Sequence, residues 1–222
     1  MAATNPPRFD LIIFDCDGVL VDSERVANEV FARVLEEECD LHFTLPQMFE
    51  NFVGHSQAQC LRKVEDMLGK PPPPALARRY RDDINAALAT SVAAVEGIEA
   101  VLSQLELPSC VASSGSHEKM KLTLGNTGLI DYFDGNIFSS SEVERGKPHP
   151  DIYLHAARTM GVHDPARCLV IEDSPLGVSG AVAAGMTVFG FAQMMPANKL
   201  RDNGAHVTFE KMHDLPELIL NY

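Results

Sequence analysis

The sequence predicts an α/β protein whose parallel sheet is interrupted, after its first strand, by an inserted block of helices. Short apolar runs alternate with helical patterns from about residue 93 onward, which is typical of the βα units that build parallel sheets. The apolar run at residues 11–14 adds a buried strand near the N-terminus. Between these regions, residues 23–92 show helical periodicity without a strand pattern. We therefore expect one α/β domain that carries a helical insertion.

The bulk properties exclude several classes of protein. The 222 residues carry a formal net charge of −13, which opposes nonspecific binding to nucleic acid and to anionic membranes. No apolar run approaches the length of a membrane span, and the N-terminus does not resemble a signal peptide. The five cysteines are widely spaced and lack the paired spacing of zinc or redox sites. We expect a cytoplasmic protein, a monomer rather than an oligomer, although the sequence does not exclude a homo-oligomer.

The first half of the chain is predicted to be helical after its single strand. A 3.6-residue apolar period begins at Ser23 and continues to about residue 35. The four consecutive prolines at 71–74 cannot be helical and predict a stiff, extended connection. A further helix is predicted at residues 76–90. Residues 54–56, between two amphipathic segments, are predicted to form a loop.

The second half alternates helices and strands. Asp151 is a plausible N-cap for a helix that runs to Met160. Gly185 is expected to close a helix of small residues. In chain order we predict a helix at 98–105, a strand at 109–112, a helix at 117–125, a strand at 137–138, the helix that ends at residue 160, a strand at 168–171, a helix at 175–184 and a last core strand at 187–191.

Two carboxylates follow the first strand, where ligands of open α/β sheets bind. Asp15 and Asp17 are one residue apart, and Gly18 follows at once. Two acids in one cleft raise each other's pKa unless a counter-charge is present, and a divalent cation removes that penalty. A glycine allows the sharp turn that lets both side chains point into one crevice. The same tetrapeptide could also be an ordinary polar turn.

Polar side chains of complementary chemistry follow several predicted strands. In chain order they are Asp15 with Asp17, Ser113, Lys147, and Glu172 with Asp173. Carboxylates from two strands suit Mg²⁺, which prefers oxygen ligands, retained waters and a substrate phosphate. The serine and the backbone amides after it can donate to phosphate oxygens. Lys147 supplies the positive charge that a net-acidic protein otherwise lacks.

These residues form four motifs that occur in order. They are Asp-Cys-Asp-Gly-Val-Leu-Val-Asp-Ser-Glu from residue 15, Val-Ala-Ser from residue 111, Gly-Lys-Pro from residue 146 and Ile-Glu-Asp-Ser from residue 171. Because it contains these four motifs in this order, the chain resembles the haloacid dehalogenase-like hydrolases, and within them the phosphatases and phosphomutases that have a helical cap. The resemblance spans almost the whole chain. It implies a Rossmann-like core of residues 1–21 and 93–222 and a cap of residues 22–92.

The resemblance implies a role for each motif residue. Asp15 would attack phosphorus and form an aspartyl-phosphate, and Asp17 would act as general acid and then general base. Ser113 would bind the phosphoryl oxygens and Lys147 would balance their charge. Mg²⁺ would be held by Asp15, by the main-chain carbonyl of Asp17 and by Asp173. Glu172 would be either a further ligand or a partner of the ligands.

The resemblance also implies where the substrate binds and which activities are disfavoured. The expected substrate-binding residues are Ser114, Gly115, Gly54, His55, Ser56 and Gln57. The family's dehalogenases lack the second acid that Asp17 provides here, which favours a phosphoester. A β-phosphoglucomutase-like enzyme has a histidine where this chain has Ala27. It also has lysine or arginine in the cap loop, where residues 53–57 of this chain contain neither. A mutase must hold a phosphate at each end, which requires such cations.

We therefore predict a magnesium-dependent phosphatase, an enzyme that hydrolyses a small phosphate monoester through an aspartyl-phosphate. The polar, nearly uncharged loop at 54–57 favours a sugar or sugar-acid phosphate as the partner metabolite. Two alternatives stay open: a β-phosphoglucomutase-like phosphomutase, and a non-catalytic protein that binds a phosphorylated ligand.

Overall fold

The computed structural model of the chain describes residues 8–53, 57–133 and 135–222. It divides into two compact units, Met1–Val21 with Ala94–Tyr222, and Asp22–Ala93. The first contains a sheet and the second is helical. None of the described helices is both long enough and apolar enough to cross a membrane.

A six-stranded parallel sheet of order β3-β2-β1-β4-β5-β6 forms the larger unit. The strands are β1 (Leu11–Phe14), β2 (Ser109–Ser113), β3 (Ile137–Ser139), β4 (Cys168–Glu172), β5 (Thr187–Phe191) and β6 (Val207–Phe209). Every residue of β1, β4 and β5 is buried, as expected when helices cover both faces of a parallel sheet. This confirms the predicted Rossmann-like α/β fold with inserted helices.

Helices lie between the strands of this unit and after the last one. They are α5 (Ile98–Gln104), α6 (His117–Asn126), α7 (Asp151–Thr159), α8 (Pro175–Ala183), α9 (Ala197–Asp202) and α10 (Leu215–Asn221). Ser116 caps α6 and Ser174 caps α8, because each hydroxyl accepts a hydrogen bond from a backbone N–H in the first turn.

The smaller unit consists of α1 (Ser23–Cys39), α2 (Leu45–Phe52), α3 (Gln57–Leu68) and α4 (Leu76–Ser91). Aromatic rings form its core, with Phe31 lying 5.1 Å from Phe52 and 5.0 Å from Tyr80 between ring centroids. Asp22 caps α1, since its side chain accepts from the backbone N–H of Arg25. Burial of this aromatic cluster gives the four helices a core of their own.

Two element predictions were wrong. The strand at 187–191 is not the last one, because β6 pairs with β5 in parallel and forms the edge of the sheet. Only Phe209 of its three residues is buried, so its apolar signal was too short and weak to recognise. Asp151 does not cap α7, since Pro150 holds the cap position and the Asp151 carboxylate instead accepts hydrogen bonds from Arg145.

Candidate active site

The central position of β1 brings three strand ends together. Phe14, the last residue of β1, lies opposite Val111 of β2 and Ile171 of β4. The backbone N–H of Asp15 continues the ladder by donating to the Ile171 carbonyl at 3.0 Å. The polar residues that end these strands therefore lie at one edge of the sheet.

Lys147 joins two of these strand ends. Its Nζ donates to Oδ1 of Asp15 at 2.7 Å and to Oε1 of Glu172 at 2.6 Å, and its side chain is 4% exposed. Burial raises the pKa of Asp15 to about 7, although Lys147 opposes the shift. Burial also favours neutral Lys147, but Asp15 and Glu172 outweigh it and hold the lysine pKa well above its usual value. Lys147 is therefore a buried ammonium shared by two carboxylates.

Glu172 is fully buried, and both of its oxygens are engaged. Oε1 accepts from Lys147 and, at 2.9 Å, from the Tyr153 hydroxyl. Oε2 accepts from the backbone N–H and the hydroxyl of Ser174, each at 2.9 Å. Four donors on one carboxylate fix its orientation, as a buried charge requires. Sequence reasoning did not identify Tyr153, because a tyrosine on an amphipathic helix looks like an ordinary core residue.

Two glycines allow the backbone to approach these acids closely. Gly18 has φ of +79°, and a Cβ at this position would lie 2.0 Å from Oδ2 of Asp173. A Cβ on Gly177, in the first turn of α8, would lie 1.8 Å from Oε1 of Glu172. A side chain at either position would displace a carboxylate of the site.

The chemistry of this edge fits a hard divalent cation. Carboxylate oxygens of Asp15, Glu172 and Asp173 all lie within 4.8 Å of one another. Three carboxylates opposed by the single ammonium of Lys147 leave an excess of two negative charges when all are ionised. Oxygen ligands and this excess charge suit Mg²⁺. Four donors engage Glu172, and one of them is Lys147, so this carboxylate holds the lysine in position.

Asp17 forms a second, separate ion pair. Lys119 Nζ lies 2.8 Å from Oδ1 and 2.7 Å from Oδ2 of Asp17, so one ammonium contacts both carboxylate oxygens. Both side chains are about one-third exposed. Sequence reasoning identified Asp17 and missed Lys119. The pairing means that Asp15 and Asp17, although neighbours in the chain, have different cationic partners.

The loop after β2 lies beside this second pair. Ser113 is buried, and its Oγ accepts from the backbone N–H of Gly115 at 3.0 Å. A Cβ on Gly115 would lie 3.7 Å from Oδ2 of Asp17, whereas Ser114 is exposed. The hydroxyl of Ser139, at the end of β3, donates to the Gly115 carbonyl at 2.7 Å and holds the loop. Sequence reasoning did not identify Ser139.

Of the other predicted substrate-binding residues, Gln57 is the first residue of α3. Gly54, His55 and Ser56 lie outside the described residues. Between the two acids, Cys16 is buried, and burial together with the charges of Asp17 and Asp15 raises its pKa well above the usual value. A thiol that resists ionisation in this way is a poor nucleophile.

Comparison with known proteins identifies the family. Residues 9–185 match the model of the haloacid dehalogenase-like hydrolases. The chain belongs to this family. Over 216 residues, covering 95% of each chain, it is 31% identical to 6-phosphogluconate phosphatase of Escherichia coli (strain K12). This confirms the resemblance inferred from the four motifs.

Two further relatives agree with this assignment. Hexitol phosphatase A of Escherichia coli (strain K12) is 30% identical over 209 residues, which cover 91% of each chain. A crystal structure of a hydrolase of the family from Deinococcus radiodurans R1, with bound phosphate and sodium, matches with a TM-score of 0.87, 32% identity and coverage of 97% of each chain. The named activities of these relatives support the predicted enzyme class, a phosphoric monoester hydrolase.

Proposed function

We propose that this hydrolase is a Mg²⁺-dependent phosphatase that cleaves a sugar or sugar-acid phosphate through an aspartyl-phosphate on Asp15. The observation that carries the proposal is the buried set Asp15, Lys147 and Glu172 at the end of β1, with Asp173 beside it. A carboxylate that is to attack an anionic phosphate needs cationic neighbours, because two anions repel each other. Lys147 contacts Asp15 directly and supplies one such charge.

In the first step, an Asp15 oxygen attacks phosphorus while the bond from phosphorus to the organic oxygen breaks. Asp17 donates a proton to that oxygen, so the organic product leaves as an alcohol. Lys147 offsets the charge shared by Asp15 and the phosphoryl group. The backbone amides of the loop after Ser113, together with the first turn of α6, provide donors for phosphoryl oxygens.

In the second step, water attacks the phosphorus of the aspartyl-phosphate. Asp17, which lost its proton in the first step, now accepts one from the water. The bond from phosphorus to the Asp15 oxygen breaks, which releases inorganic phosphate and restores the carboxylate. Lys119 keeps Asp17 positioned between the two steps by contacting both of its oxygens.

Asp15 and Asp173, with the main-chain carbonyl of Asp17, are the groups we assign to Mg²⁺. A bound Mg²⁺ would polarise the phosphoryl group and neutralise part of its charge. Glu172 acts through Lys147, which it orients, and Tyr153 and Ser174 in turn orient Glu172. Such outer partners commonly set the geometry of the groups they support.

The substrate class rests on two kinds of support. The relatives described above are named for 6-phosphogluconate and for a hexitol phosphate, which are phosphate esters of a sugar acid and of a polyol. Ala27 stands where the mutases that this chain resembles have a histidine, and residues 53–57 contain no lysine or arginine. Hydrolysis is therefore favoured over transfer to a second sugar hydroxyl.

Phosphate release from a panel of sugar phosphates, sugar-acid phosphates and nucleotides tests the proposal. We expect turnover of a sugar or sugar-acid phosphate that requires Mg²⁺, stops on chelation and is abolished by Asp15→Asn. In rapidly quenched wild-type reactions, a phosphorylated peptide containing Asp15 should be detected by mass spectrometry. Preferred hydrolysis of nucleotides would contradict the substrate class. Conversion of β-glucose 1-phosphate to glucose 6-phosphate without phosphate release would identify a mutase instead.

A further inference from the structure

A short segment at the end of β3 contacts the loop after β2 at alternate residues. The hydroxyl of Ser140 donates to the Ser113 carbonyl at 3.3 Å, and the hydroxyl of Ser139 donates to the Gly115 carbonyl at 2.7 Å. In a planar trans peptide, the C=O of one residue and the N–H of the next point in opposite directions. These two contacts therefore direct the next N–H groups of the loop away from β3.

Glu142 fixes the position of this segment. It is the last residue of the 3₁₀ turn Ser140–Glu142, and its Oε1 accepts from the backbone N–H of Ser139 at 2.7 Å. The same oxygen contacts Nε2 of His117, the first residue of α6. Its Oε2 lies 3.1 Å from Nε2 of His155 on α7. One carboxylate thus joins the end of β3, the start of α6 and the middle of α7.

The charge of Glu142 determines where the hydrogens of both imidazole rings lie. Burial opposes ionisation of this carboxyl, but hydrogen bonds from the Ser139 N–H, His155 and His117 outweigh burial and hold its pKa below the usual range. An ionised carboxylate can only accept, so Nε2 of each histidine carries a hydrogen. Hydrogen bonds to a charged group are stronger than those between neutral groups. Removal of this one carboxylate should therefore release both rings.

We propose that residues 139–142, which we call the β3 brace, set the affinity of the loop after β2 for a phosphoryl group. Glu142 is the positioning residue that anchors the brace. It acts through Ser139 and His117, which hold the loop at Gly115 and at the start of α6. This inference rests on the proposed function, because it takes that loop as the element that binds the phosphoryl oxygens.

Binding of inorganic phosphate in the presence of Mg²⁺ tests the proposal without turnover. Isothermal titration calorimetry on the full chain measures Kd for the wild type and for Glu142→Ala. We expect the variant to raise Kd about tenfold, because the loop loses hydrogen bonds to a charged group. KM for a sugar phosphate should rise by a similar factor with kcat nearly unchanged, as when binding common to the ground and transition states is lost. A purely structural defect would instead lower the fraction of active protein and leave Kd and KM unchanged.

Glu144→Ala is the matched control, since Glu144 is an exposed glutamate in the loop that follows the brace. It should leave Kd unchanged. His117→Ala should raise Kd about fivefold, and His117→Gln should restore it, because a side-chain amide can donate in place of Nε2. A double variant with alanine at both 117 and 142 should bind phosphate no more weakly than Glu142→Ala, because the two residues act through one contact.

Two results would overturn the brace: an unchanged Kd in folded Glu142→Ala, or fully additive losses in the double variant. A fall in kcat with Kd unchanged would also overturn it, and would show that Glu142 serves Lys147 through residues 143–146. Melting temperatures confirm that each variant is folded. If Glu142→Ala does not fold, the His117→Ala and His117→Gln pair decides, since the His117 side chain is 38% exposed.

Wild-type binding separates this inference from the proposed function. If the wild type binds no phosphate, the proposed function fails and the brace fails with it. If the wild type binds phosphate and Glu142→Ala binds it equally well, the brace alone fails.

Discussion

Lys119 lies in the first turn of α6, where the helix macrodipole disfavours a cation. Its long side chain can extend toward the N-terminal end of the helix. At that end it meets both oxygens of Asp17, which supply the compensating charge. A lysine in the first turn of a helix is unusual, and this was the sequence signal for the contact. The sequence could not show that Asp17 is its partner, because 102 residues separate Lys119 from Asp17.

Lys119→Met should impair the reaction according to the leaving group. Methionine keeps the aliphatic stem but removes the ammonium that orients Asp17. General acid catalysis contributes about 100- to 10,000-fold, and we expect loss of orientation to cost about tenfold or more in kcat for a sugar phosphate. With p-nitrophenyl phosphate the first step should change little, because its leaving group needs no proton, whereas the second step still needs Asp17 as the base for water. Rapid-mixing measurements of p-nitrophenol release in the first turnover, and of the same step with the sugar phosphate, measure the difference.

Lys121→Met is the matched control, since Lys121 is an exposed residue of the same helix. Restoration of the rate by Lys119→Arg, which can also contact both carboxylate oxygens, would support the orienting role. Equal losses in the first step with both substrates would show that Lys119 serves the fold or the phosphate rather than Asp17.

The residues of the site differ in how far sequence could predict them. Asp15 and Lys147 lie in short motifs that follow strands, and the structure places their side chains in contact. Tyr153 and Ser139 act by supporting Glu172 and the loop after β2, and neither belongs to a recognisable motif. Supporting contacts of this kind depend on tertiary packing, which a single sequence does not reveal.

At the scale of the element, the first turn of α8 packs against the Glu172 carboxylate. Gly177 permits this, because any Cβ there would overlap Glu172. We expect Gly177→Ala to lower the free energy of unfolding by about 1–3 kcal/mol, as overpacking does. Activity should also fall, since the Glu172 carboxylate that holds Lys147 must move. Urea denaturation and phosphate release measure the two effects.

Gly125→Ala provides the comparison for this prediction. Gly125 lies in α6, and nothing lies within 4 Å of the Cβ it would gain. Alanine there should leave activity unchanged and raise stability by about 0.5–1 kcal/mol through helix propensity alone. If both variants behaved alike, the close approach of α8 to Glu172 would have no energetic importance.

The elements that were predicted well are those with a long or strongly apolar pattern. The runs at β1, β4 and β5 are buried on both faces, so no polar residue interrupts them. β6 was missed because an edge strand of three residues carries too little pattern to separate it from a loop. Caps were harder still, since Asp151 is a good cap residue in isolation but binds Arg145.

At the scale of the whole molecule, the acids at the end of β1 couple stability to pH and to metal. Burial raises the pKa of Asp15 from its ordinary value of 3.8 to about 7. The folded state therefore binds the Asp15 proton more tightly than the unfolded state does. The resulting stabilisation of the fold is fully present below about pH 4 and is lost as the pH rises through about 7. A cation that binds ionised Asp15 should reverse this loss.

We therefore expect Mg²⁺ to raise the melting temperature more at pH 8 than at pH 6. At a concentration 100 times its Kd, a ligand stabilises the folded state by about 2.7 kcal/mol. For a protein of this size that corresponds to about 5–10 °C. Calorimetry with and without Mg²⁺ at the two pH values measures the shift, which Asp173→Asn should abolish. A shift that did not depend on pH would argue against ionised Asp15 as a ligand.

The order of the strands in the sheet leaves β1 without its neighbours during the early part of synthesis. β1 is made first but occupies the middle of the sheet, between β2 and β4. The whole unit Asp22–Ala93 is translated before either neighbouring strand exists. During that interval the apolar segment Leu11–Phe14 has no sheet partner, and such exposed segments promote aggregation. This segment is therefore a point of aggregation risk for the nascent chain until Ser109–Ser113 is available to pair with it.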